Sequence, residues 1–84
     1  MKKGGILDEA YDAGDLGRAI RRLRTERGLT QDGLAQWLQV SRQTVVSLEQ
    51  GGPVSVTAAM RALAILGAKV VVARKDAIVG ETNG

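Results

Sequence analysis

A small, mainly α domain of four to five helices, closed by one C-terminal β-strand, is the fold class this chain predicts. Three observations carry it. Apolar residues recur at helical spacing between residues 16 and 66, and each such stretch starts behind a side chain suited to capping. A β-branched run, Val70-Val71-Val72, follows the last of them. Eighty-four residues suit one domain with a limited core, so association of copies is a natural route to stability.

Residues 1–14 have no clear period. They read as an arm that docks through Ile6, Leu7 and Tyr11, or as a solvated tail. A helix is expected from Asp15, as N-cap, to Arg27, with Leu16, Ala19, Ile20 and Leu23 buried and Gly28 as the left-handed terminator. Its other faces carry Arg18, Arg21, Arg22 and Arg24. Thr30 caps a second helix with Leu34, Ala35 and Leu38 inward. Gly33 lies inside it, at a cost of about 1 kcal/mol relative to Ala. Gln39 occupies the following turn, where a positive φ is often needed, so it implies strain or a different turn.

Ser41 caps a third helix that turns Val45 and Leu48 inward and Arg42, Gln43, Thr44 and Ser47 outward. Gly51-Gly52-Pro53 breaks the chain. Ser55 then caps a fourth helix to about Leu66, with Val56, Ala59, Met60, Leu63 and Leu66 as its apolar face and Gly67 as its end. Lys69 to Arg74 reads as a strand. A lone strand needs a partner for its backbone groups, so the expectation is pairing with the same strand of a second copy across a two-fold axis. Pairing with Ile6-Leu7 is the runner-up. The chain therefore divides into an arm (1–14), a helical domain (15–67), a dimerisation strand (68–75) and a polar tail (76–84).

Charge is unevenly spread. Residues 1–15 set two lysines against four carboxylates, whereas residues 16–50 set six arginines against three. Positive charge thus sits on the helical segment, as phosphate binding requires. Cys and His are both absent, which excludes disulfides, thiolate metal sites and the commonest metal ligand and general base. With no nucleophile–base pair and no phosphate-binding Gly loop, an enzyme is not expected, nor a cofactor. No apolar run is long enough to span a membrane, so a cytoplasmic protein is expected.

The two short helices across Leu29–Gly51 resemble a helix-turn-helix, and outward Arg, Gln, Thr and Ser side chains suit base edges and phosphates. The spacing of Arg24, Gly28, Leu29, Thr30, Gln31, Leu34, Ala35, Val40, Ser41, Val45, Leu48, Glu49 and Gly51 is similar to the Xre or lambda-repressor-like family. Gln39 and Gly33 depart from the usual Gly and from a more typical Glu or Ala. The fourth helix followed directly by a strand resembles the antitoxins of HipBA-type toxin–antitoxin modules.

That resemblance implies roles. Arg42, Gln43 and Ser47 would read bases, with a phosphate contact as the competing role for Arg42 and close packing for Ser47. Gln31 and Thr44 would hold phosphates, and Arg22 and Arg18 would add contacts from the first helix unless they are simply solvated. Arg24 and Glu49 would form an internal ion pair. Trp37 stands where a polar residue is common; it reads as core, as covered by Ile6 or Tyr11, or as a contact for a protein partner. The implied protein is a homodimeric repressor that binds a palindromic operator and a HipA-like kinase toxin. The alternatives are a stand-alone repressor of phage or metabolic type and a protein-interaction module that no longer reads DNA. The identity of the adjoining gene separates the first two.

Overall fold

A computed structural model describes residues 7–76. Among them are four helices: α1 (Ala13–Glu26), α2 (Gln31–Leu38), α3 (Arg42–Glu49) and α4 (Val56–Ile65). Each begins behind a side chain that accepts from a backbone N–H of its first turn, which satisfies one otherwise unpaired donor. Thr30, Ser41 and Ser55 do this for α2, α3 and α4, accepting from Gly33, Thr44 and Ala58. For α1 the cap is Asp12 and not Asp15, so the helix opens three residues earlier than expected and takes Ala13 and Gly14 from the arm. Asp15 instead reaches back to accept the Tyr11 N–H at 2.9 Å. That bond, helped by the Arg18 guanidinium, holds the Asp15 carboxyl below the usual carboxylate range.

α3 packs against both α1 and α2, and α4 packs on α2. The shared core is Ile20, Leu34, Ala35, Leu38, Val45, Leu48, Ala59, Ala62, Leu63 and Leu66. Leu16 and Leu23 are only partly buried at its edge. The α1–α3 contact depends on Gly17, because a Cβ there would lie 2.5 Å from the carbonyl oxygens of both Leu48 and Glu49. Close approach of the two backbones sets α3 against α1 with little room to slide. Gly33, unexpected inside a helix, lies under its own cap: a Cβ would meet Thr30 Oγ1 at 3.3 Å.

Gln39 does take a left-handed conformation, with φ 60 and ψ 44, at the turn between α2 and α3. Its N–H and that of Val40 close the end of α2, on Gln36 and Ala35. The strain anticipated for this side chain is therefore present.

Two expectations about burial need correction, and the strand expected to pair between copies is not formed by one chain alone. In α4, Val56 is 78% and Met60 47% exposed, and Ala62 takes their place in the core. The helix is turned about its axis so that Ala59, Ala62 and Leu63 are buried while Val56 and Met60 face outward. Trp37 is 66% exposed and is not a core residue. Residues 69–74 form no strand within the single chain, and Val70, Val71 and Val72 are all exposed. Ile6, the arm residue expected to dock beside Leu7, lies outside the described residues.

Candidate nucleic-acid interface

A chain of side-chain bonds runs from the core to the start of α3. Arg24 and Glu49 are both buried, and their guanidinium and carboxylate meet in two contacts, Nε to Oε2 at 2.5 Å and Nη2 to Oε1 at 3.1 Å. Arg24 Nη1 also donates to the Leu29 carbonyl at 2.8 Å. Burial would be costly for either ion alone; the bidentate geometry and the third bond offset it. No buried side-chain polar atom among the described residues lacks a partner.

Glu49 Oε1 accepts a second bond, from Gln31 Nε2 at 3.2 Å. The amide of Gln31 is oriented by that bond, and its Oε1 accepts from Arg42 Nη2 at 3.2 Å. Arg42 Nε also lies 3.9 Å from the Asp32 carboxylate. The order Arg24, Glu49, Gln31, Arg42 thus ties the first turn of α3 to the first turn of α2 and to the last turn of α1. These residues line one open cleft together with Arg21, Thr30, Asp32 and Gln50.

The expected site residues fall into two groups. Gln31 and Arg42 meet in the cleft. Gln43 is exposed on the first turn of α3, and Thr44 is half-buried, with its hydroxyl 3.1 Å from that of Ser41. Ser47 is turned toward the loop after α3: its hydroxyl donates to the Pro53 carbonyl at 3.4 Å, and a Cβ on Gly52 would lie 2.5 Å from it. Arg18 and Arg22 lie elsewhere on α1 and are neutralised in place, Arg18 by Asp15 and Arg22 by Asp8 at 2.6 Å.

Arg21, Asp32 and Gln50 are the cleft residues that the sequence reading did not single out. The signal for Arg21 was available: it stands four residues after Gly17 and three before Arg24, so all three share the side of α1 that meets α3. Arg18 and Arg22 do not. Asp32 and Gln50 carry no comparable mark.

The profile of the helix-turn-helix domain family matches residues 15–75, so this chain belongs to that family. Two solved structures share the fold. One is a HipB variant in complex with an O2 20mer, with a TM-score of 0.74 and 20% identity, covering 83% of this chain and 99% of that one. The other is a HipA–HipB–O2–O3 complex, with a TM-score of 0.73 and 20% identity over 82% and 99% of the two chains. No curated protein matches this chain.

Proposed function

We propose that this chain is a sequence-specific DNA-binding transcriptional repressor that acts as a homodimer on a palindromic operator. The observation that carries the reading is the cleft. A buried ion pair orients Gln31, and Gln31 in turn orients Arg42 at the exposed start of the second helix of a helix-turn-helix. A guanidinium held in advance loses less freedom on pairing with a guanine edge than a free one would. Gln43 beside it suits adenine, and Ser47 reads at closest range if its loop contact is exchanged. Gln31 and Thr44 grip phosphates on either side of the groove. This is a non-enzymatic role.

The more specific reading is the antitoxin of a HipBA-type module, one that represses its own operon and neutralises a kinase toxin. What supports it is the shared fold with HipB as found in complexes with an O2 20mer and with HipA, over nearly the whole of that chain. Trp37, exposed on α2 and outside the cleft, suits a protein partner that approaches while DNA is bound. Exposed apolar side chains concentrate in α4 and beyond it, at Val56, Met60, Val70, Val71 and Val72. Pairing of residues 70–72 between two copies would bury part of that surface and satisfy the backbone.

The division of labour within α3 is tested by replacing Arg42 and Thr44 separately with Ala and measuring affinity across a set of single-base operator variants. Arg42→Ala should lose about 1–3 kcal/mol of discrimination at one base pair per half-site. Thr44→Ala should weaken every sequence alike. Identical profiles for the two variants would contradict the assignment.

A further inference from the structure

Five charged side chains line the cleft: Arg21, Arg24, Arg42, Asp32 and Glu49. Arg24 is consumed by Glu49, in a buried bidentate pair. Arg42 stands against Asp32. Arg21 alone has no carboxylate within ion-pair distance among the described residues, and it is exposed. The net positive charge of the cleft is therefore that of Arg21.

We propose that Arg21 is a phosphate anchor, holding a backbone phosphate of duplex DNA at the edge of the cleft opposite Arg42. This deepens the DNA-binding reading and rests on it. Three physical points converge. Arg21 stands one turn from Gly17, where α1 meets the backbone of α3 closely, so its Cα is held at a set distance from the third helix. The cleft also holds two uncharged amides, Gln31 and Gln50, which can donate to an anion there but cannot neutralise a guanidinium. On α1, Arg18 and Arg22 already hold carboxylates, so a phosphate would have to displace Asp15 or Asp8 to reach them. Arg21 meets a phosphate with nothing to displace. The acidic start of the chain, through Asp8 and Asp15, thus leaves Arg21 as the exposed arginine of α1 without a carboxylate partner among the described residues.

The test is the salt dependence of duplex binding by the full-length chain, compared with Arg21→Gln, Arg21→Lys and Arg61→Gln. Arg61 is exposed on α4 and does not line the cleft. Arg21→Gln should lower the log–log salt slope by about one per protomer, for operator and unrelated duplex alike. Arg21→Lys should restore most of the slope, which a merely structural role would not require. Arg61→Gln should leave it at the starting value. A full slope in Arg21→Gln, or an equal loss in Arg61→Gln, would overturn the anchor while leaving DNA binding intact. Failure of the unsubstituted chain to bind any duplex at low salt would remove the DNA reading and the anchor with it.

Discussion

Glu49 is where folding and recognition meet in one side chain. It neutralises Arg24 inside the domain and at the same time orients Gln31, which holds Arg42. Replacing Glu49 with Ala leaves the Arg24 guanidinium buried without its counter-ion, at an expected cost of about 3–5 kcal/mol. The paired change Arg24→Met with Glu49→Leu should recover most of that loss in thermal denaturation yet still bind DNA poorly, because Gln31 is then unheld. A Glu49→Ala melt within about 1 kcal/mol of the unsubstituted chain would show that the pair is not structural. At this scale, the reading roles of the α3 side chains remain proposals. The Arg24–Glu49 pair, which the structure contains, was legible through the family resemblance. The link through Gln31 was not. It depends on which way an amide turns, and only the packed neighbours decide that. The exposure of Trp37 was equally hidden, since its place beside Leu34 and Leu38 is compatible with either side of the apolar edge.

The four helices were foreseen because their caps and apolar spacing are local properties. Their limits were less so. Asp12 and Asp15 are both good caps three residues apart, and the preference for Asp12 rests on Asp15 accepting the Tyr11 N–H, a pairing that no propensity encodes. The rotation of α4 was also hidden: Ala62 is buried and Val56 and Met60 are exposed, which depends on how α4 packs on α2 and not on its own spacing. The turn between α2 and α3 carries a prediction of its own. Gln39 adopts the left-handed region at φ 60, which a Cβ disfavours. Gln39→Gly should raise stability by about 0.5–1 kcal/mol after the added freedom of the unfolded chain is counted, seen as a melting temperature a few degrees higher. A lower melting temperature would mean that the Gln39 side chain contributes a contact worth more than the strain.

Across the whole molecule, two ends are specialised. The cleft between α1, α2 and α3 is lined mainly by polar and charged groups, while Val56 and Met60 of α4 and Val70, Val71 and Val72 after it make up most of the exposed large hydrophobics. A single chain leaves Val70, Val71 and Val72 bare. The proposed pairing between copies would cover them and would set two recognition helices about 34 Å apart, one helical turn of DNA. Pro at Val71 removes ladder bonds from that pairing and should leave a monomer with much weaker affinity. The most direct measurement is the mass of the purified protein by light scattering, alone and with DNA from upstream of its own gene, beside the Val71→Pro variant. The unsubstituted protein should be a dimer that loads as one dimer per duplex at moderate salt, and the variant a monomer that does not. A monomer that ignores the duplex, or a Val71→Pro protein that stays dimeric, would contradict this pairing.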